Sequence, residues 1–342
     1  MTEARAWQVA GGFGLDQLTR VAVPVVDPGP GRIRLRLLAV SLNYRDLLMV
    51  RGAYDPRQPL PLVPCSDGVG VVDAVGAGVT RVAVGDRVLP IFAESWLSGE
   101  PTRAQLRSTR GGPLPGTLQD LLELPADAVV PAPAHLSDEA CATLPCAAVT
   151  AWRALDAGGV GAGDVVVTQG TGGVSSFAVQ LGRIRGARVF VTSRSAEKLS
   201  RALGLGAEGG HCTAEDPDWW TPARAFSGGG GADLIVELGG ASTLDGSLRA
   251  VRPGGTVALI GILGGNAVEL PLTRIFMQGV RAQGILVGHR AHLEAVCRAL
   301  AAHPQVQPVI DRVYAFCDAP AAFARMASGE HQGKLVVRVS EG

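Results

Sequence analysis

Two kinds of apolar patterning divide this chain. In the first ninety or so positions the apolar residues come in short runs. Ile33-Arg34-Leu35-Arg36-Leu37 alternates apolar and basic side chains, the mark of a half-buried strand. Pro28-Gly29-Pro30-Gly31 before it is a turn, and Gly85-Asp86 is another, leading into a strand from Arg87 to Leu89. The close-spaced Val/Gly pairs at 68–72, 75–76 and 84–85 predict a small, tightly turned β-barrel. Ser137 with Glu139 opens a helix, and the apolar stretch from Cys141 to Leu155 continues it with an interruption at Pro145.

From Val165 the pattern changes. Val165-Val166-Val167-Thr168 predicts a strand, and Phe177, Val179-Gln180-Leu181 and Ile184 predict a mostly apolar helix. Val189-Phe190-Val191 is a second strand, Glu197 to Leu203 a helix, Ala232 to Gly240 a buried strand, Leu244 to Val251 a helix and Thr256 to Ile262 a strand. Strands alternating with helices predict a parallel sheet covered on both faces. Leu270 to Met277 and Gln283 to Gly288 read as further strand-like pieces, Asp216 to Phe226 as less regular, and Gly333 to Val339 as a final strand.

The chemistry lies first in Gln169-Gly170-Thr171-Gly172-Gly173-Val174-Ser175, between a strand and a helix. Glycines there let backbone N–H groups and a helix N-terminus approach a pyrophosphate, so Gly170, Thr171, Gly172, Gly173 and Val174 are expected to bind a dinucleotide. The flanking strands are what raise this above a lone glycine motif. About 20 residues on, an NAD site carries an acid for the ribose hydroxyls. This chain has Thr192-Ser193-Arg194 instead, with Lys198 one turn later. Arg194 suits a 2′-phosphate, with Ser193 and Lys198 in support, so NADPH is expected over NADH. The other reading leaves Arg194 and Lys198 as solvated helix-start residues. Ligands of such sheets sit at the strands' C-terminal ends, which nominates Leu238, Gly261 and Ile262.

Composition narrows the class. The 342 residues suggest two domains, and 31 basic against 31 acidic side chains leave no footprint for nucleic acid or an acidic membrane. No apolar run approaches a bilayer span, and the first ten residues lack a signal-peptide core, so a cytoplasmic protein is expected. The six cysteines show no C-x-x-C pairing and read as buried free thiols.

The succession Asn43-Tyr44-Arg45-Asp46, Gly68-Val69-Gly70-Val71-Val72, Val84-Gly85-Asp86-Arg87-Val88, Leu144 to Trp152 and Gly170-Thr171-Gly172-Gly173 resembles the medium-chain dehydrogenase/reductase superfamily. The resemblance runs from about residue 5 to the C-terminus. It implies an α/β chain: a GroES-like β-barrel catalytic domain (1–124 and 290–342) and a Rossmann, doubly wound domain (125–289). It also implies that Thr150 lies beside the nicotinamide, that Val287 faces its carboxamide, that Lys334 reaches the pyrophosphate, and that the chain pairs as a homodimer with a small-molecule substrate. Zinc-dependent relatives have Cys where this chain has Asn43 and His-Glu where it has Ser66-Asp67; of the ligand positions only Cys146 remains, and the lobe from Phe92 to Leu118 lacks the structural-zinc cysteines. No metal is therefore expected. Cys146 reads as a small core residue, with a reactive thiol as the alternative. The long lobe suggests a pocket wall containing Trp96, with ordinary packing of Trp96 as the alternative.

Taken together, a zinc-independent NADPH reductase of an activated C=C is expected. Asn43, Tyr44 and Asp46 are its catalytic candidates, with Tyr44 as donor held by Asp46, and Arg45 lies at the substrate; the other reading of Asp46 is a helix cap. The alternatives are an NAD(P)-dependent alcohol dehydrogenase or ketone reductase, and a non-catalytic NADPH-binding protein.

Overall fold

The computed structural model describes Glu3–Val339, and those residues form two compact units. One holds the chain up to Val149 and again from Gly288; the other is Thr150–Val287.

The second unit is a six-stranded parallel sheet. Its spatial order is Gly209–Cys212, Arg188–Ser193, Val165–Gln169, Ala232–Glu237, Val251–Leu259, Arg281–Gly284. The chain winds outward one way from Val165–Gln169, then returns and winds the other way. The order therefore reverses between Val165–Gln169 and Ala232–Glu237, which makes their C-terminal ends a ligand-binding crevice. The core combines Val167, Phe190, Ile235 and Val257 from strands with Trp219, Ala223 and Leu248 from the covering helices. Trp219 is buried there with Trp220 at its edge, so this pair packs the core.

The first unit is built on a seven-stranded sheet whose long central strand, Arg32–Leu42, pairs antiparallel with Asp67–Val75, Lys334–Arg338 and Leu121–Pro125. Burial alternates along its first half, as the apolar/basic alternation requires.

Four expectations change. The first boundary falls at Val149/Thr150 instead of 124/125, because Val129–Pro131 pairs with Arg87–Pro90 and the helix Asp138–Ala142 packs on the long strand. The return falls at Val287/Gly288 instead of 289/290. Leu270 to Met277 contains a helical turn, Thr273–Phe276, and Trp220–Phe226 is a regular helix. Short apolar runs do not distinguish helix from strand by period alone. No helix of the described residues is long and apolar enough to cross a membrane.

Candidate functional site

In the second unit the strand Val165–Gln169 ends in Gly170, whose φ of 76° is the left-handed conformation that glycine adopts without strain. Gly172 is the N-cap of the helix Gly173–Ile184. A Cβ added to Gly172 would meet nothing within 4 Å. The fold itself therefore leaves this glycine unconstrained, and the space above it is a cradle open to a ligand. The first N–H groups of such a helix have no partner within it and suit a pyrophosphate. Ser175, where a third glycine is usual, donates its hydroxyl to the carbonyl of Gln169 at 2.7 Å and ties helix to strand end.

Glu237 and Gln169 went unnoticed in the sequence, yet they organise the crevice. Glu237 is fully buried, and its carboxylate accepts from the N–H groups of Gly239 and Gly240 (2.9 Å each), from Thr243 Oγ1, from Gln169 Nε2 (2.7 Å) and from Ser247 Oγ. Gln169 Oε1 in turn accepts from the N–H groups of Leu238 and Gly239, at 3.1 Å each. The pair spans the point where strand order reverses and fixes the turn holding Leu238 against the glycine loop. Gly261 follows closely: a Cβ there would strike Leu238 backbone. Ile262 is exposed beside it. Only contact order hides this pair in the sequence; an acid ending a buried strand just before Leu-Gly-Gly was the available signal.

Arg194 is exposed at the end of Arg188–Ser193 and forms no ion pair among the described residues. Ser193 Oγ accepts from the N–H of Ser195, whose own hydroxyl caps the helix carrying Lys198. Thr150 is buried. Val287, also buried, has φ 45°, which β-branched residues rarely adopt; such strain is often kept at functional positions.

The first unit holds a different cluster. Register brings it together: Ser41 pairs with Asp67 and Leu42 with Leu335, so Asn43, Asp67 and Lys334 sit at adjoining strand ends. Lys334 is buried, and its ammonium donates to the Leu42 carbonyl (2.8 Å) and Asn43 Oδ1 (2.5 Å) and lies 3.6 Å from Asp67 Oδ2. Asn43 Nδ2 reaches Ser66 Oγ at 3.4 Å, Ser66 donates to Asp67 Oδ1 at 3.0 Å, and the N–H of Cys146 donates to Asp67 Oδ2 at 3.3 Å. Cys146 lies in a π-helical turn, Leu144–Ala148, at the expected interruption. Burial raises the Asp67 carboxyl, opposed by Lys334. Burial also raises the Cys146 thiol, with Asp67 adding to the effect.

Several expected roles are corrected by these contacts. Lys334 is spoken for within this cluster and is not a strand-edge cation reaching for a phosphate. Asp46 does not hold Tyr44: its carboxylate accepts from the N–H of Asn43 at 2.8 Å and pairs with Arg45 at 3.3 Å, securing the start of Tyr44–Val50. Burial, partly offset by Arg45, pushes Asp46 up to about 6. Tyr44 is exposed. Arg45, expected at the substrate, directs its guanidinium to the carbonyls of Arg110 (2.8 Å) and Gly112 (3.1 Å) and stacks on Tyr54 and Phe92, pinning the lobe. Trp96 is fully buried, donates to the Gly99 carbonyl and packs edge-on to His289, so it anchors the lobe from within. His289 and His292 stack 3.6 Å apart and cap the helix Arg290–Ala302.

Comparison with known proteins gives this geometry a family. Residues 29–134 match the alcohol dehydrogenase GroES-like domain, and 173–302 match the zinc-binding dehydrogenase domain. A zinc-type alcohol dehydrogenase-like protein of Schizosaccharomyces pombe is 37% identical over 95% of this chain and 96% of its own. A solved NAD-dependent alcohol dehydrogenase is 32% identical, with a TM-score of 0.89 over 98% of this chain and 100% of its own. A quinone oxidoreductase of Coxiella burnetii, 23% identical with a TM-score of 0.81 over 99% and 100%, shares the fold.

The family description names zinc, and the residues around Asp67 do not fit it. Of the positions compared with zinc relatives, Asn43 and Ser66 are neutral side chains that replace a thiolate and an imidazole, leaving only Asp67 and Cys146 as possible ligands, fewer than the three a catalytic zinc takes. An ammonium already faces Asp67. Among the described residues no three His, Cys, Asp or Glu side chains converge to hold a metal. A nicotinamide dinucleotide does fit the open cradle above Gly172. With 37% identity to a full-length relative and each unit matched by its own domain, the chain belongs to the medium-chain dehydrogenase/reductase family and is an NAD(P)-dependent oxidoreductase.

Proposed function

We propose that the protein is a zinc-independent, NADPH-dependent reductase of an activated C=C in an enone, enoyl thioester or quinone. The observation that carries this reading is the buried Lys334 ammonium set among Asn43, Asp67 and the Leu42 carbonyl, where a zinc enzyme would need open anionic ligands. NADPH, when bound, supplies a hydride. The glycine loop from Gly170 to Val174 holds the pyrophosphate, the turn fixed by Glu237 shapes the crevice, and Arg194, exposed and unpaired, takes the 2′-phosphate with Ser193 and Lys198 beside it. On this reading no metal polarises a carbonyl, and hydrogen-bond donors stabilise the developing oxyanion. Conjugate addition suits such donors: hydride joins the β-carbon, the C=C electron pair moves toward the carbonyl oxygen, and water returns a proton to the α-carbon. The half-exposed Asn43 amide and the exposed Tyr44 hydroxyl are the donors at hand.

The names of the relatives favour a second reading, an alcohol dehydrogenase or ketone reductase. A panel of conjugated acceptors and saturated ketones decides, with NADPH and NADH compared and a chelator present. Turnover of conjugated acceptors with NADPH supports the proposal. Turnover of saturated ketones alone supports the second reading.

A cytoplasmic location fits the six free cysteines. A homodimer is supported by the edge strand Arg281–Gly284, exposed along its length, beside exposed Leu272, Phe276 and Met277. Sedimentation of the intact chain at twice the monomer mass would bear this out, and a monomer would refute it.

A further inference from the structure

Asn43 is the one member of the Asp67 cluster that reaches solvent; Ser66, Asp67, Cys146 and Lys334 are all buried. An ammonium has three N–H donors and no acceptor. The amide atom 2.5 Å from Lys334 Nζ is therefore the oxygen, and the NH₂ group turns the other way, with one hydrogen facing Ser66 at 3.4 Å and the Asp67 carboxylate beside it. The ammonium's remaining directions are taken by the Leu42 carbonyl and Asp67. Lys334 thus does two things to Asn43. It forbids the flipped amide, and it pulls electron density toward Oδ1, which strengthens Nδ2–H as a donor in a low-dielectric setting.

We propose that Lys334 is a positioning residue that acts through Asn43: a buried ammonium, balanced by Asp67, orients and polarises one amide so that its N–H can stabilise the oxyanion of the reduced acceptor. Lys334 does not touch the acceptor. The inference rests on the zinc-independent reading and assigns that reading its source of positive charge.

A double-mutant cycle between Lys334→Met and Asn43→Ala tests this, read on kcat and KM for a conjugated acceptor and on the NADPH Kd of the intact chain. Asn43→Ala is expected to lower kcat by about a hundredfold, as loss of one oxyanion donor does. Lys334→Met is expected to lower kcat by at least about tenfold, and the double variant to be no worse than Asn43→Ala, because the lysine then has nothing to act through. The NADPH Kd stays unchanged in all three. Additive losses in kcat, or a weakened NADPH Kd with kcat intact, overturn the proposal. Removing Lys334 alone leaves Asp67 buried and unpaired, so Lys334→Met is also combined with Asp67→Asn, which removes both charges together, and this pair is compared with wild type with and without Asn43→Ala, a thermal melt confirming that each variant is folded. Chelator-resistant turnover by the wild type together with additive variants would sink this inference alone. Loss of wild-type turnover to the chelator would sink the reading beneath it.

Discussion

Glu237 and Asp67 are both fully buried carboxylates, one in each unit, and they are held in opposite ways. Glu237 is surrounded by neutral donors: two backbone N–H groups, two hydroxyls and one amide. Asp67 faces a formal positive charge, with one hydroxyl, one N–H and the Asn43 side chain filling the remainder. The first arrangement fixes backbone and suits a binding crevice that must keep its shape. The second stores charge beside a half-exposed amide and suits a place where charge develops during reaction.

The comparison can be sharpened or broken by substitution. The largest effect is expected from Gly172→Val. Because a Cβ at Gly172 meets nothing in the protein, the unit should fold normally while dinucleotide affinity falls by more than about a hundredfold. Calorimetric titration and a thermal melt read the two separately, and retained binding would remove the loop from the cofactor site. Next comes the matched pair Asp67→Asn and Glu237→Gln. Asp67→Asn strands Lys334 without a counter-charge and is expected to cost about 3–5 kcal/mol in denaturant unfolding. Glu237→Gln leaves neutral donors poorly matched and is expected to cost about 1–3 kcal/mol. A larger loss from Glu237→Gln would reverse the distinction. Arg194→Ala is smaller and more selective: NADPH binding should weaken by about 10–100-fold with NADH unchanged. Equal weakening of both would end the 2′-phosphate role.

The smallest effect is a pH dependence. Burial raises Asp46 from an ordinary 3.8 to about 6. The folded chain then holds that proton more tightly than the unfolded chain, so ionisation of Asp46 opposes folding. The stability it contributes is greatest below pH 3.8, falls as pH rises toward 6, and is gone above it. Wild type minus Asp46→Asn, followed by urea unfolding across that range, should decline with rising pH. A flat difference would mean that Asp46 is not raised.

Each unit was legible to a different degree, for a physical reason. The second unit is legible because its strands are continuous apolar runs and its glycine loop is contiguous from Gly170 to Val174. The Asp67 cluster could not be assembled, since Asn43, Asp67, Cys146 and Lys334 meet only through antiparallel register between distant strands. A strand-start lysine such as Lys334 reads as exposed in sequence, and only strand register supplies its neighbours. The same holds for Arg45 and Trp96: large polar and aromatic side chains in or beside an irregular lobe look available in sequence, whereas here they pin it from inside. Glu237 was lost within a strand otherwise read for its apolar pattern.

The central claim is that a buried ammonium stands where relatives use a metal. Its most direct test is zinc content and turnover measured on one sample purified without added metal. The account predicts zinc far below one per chain together with full, chelator-resistant reduction of a conjugated acceptor. One zinc per chain, with activity lost on its removal and restored on its return, would contradict it.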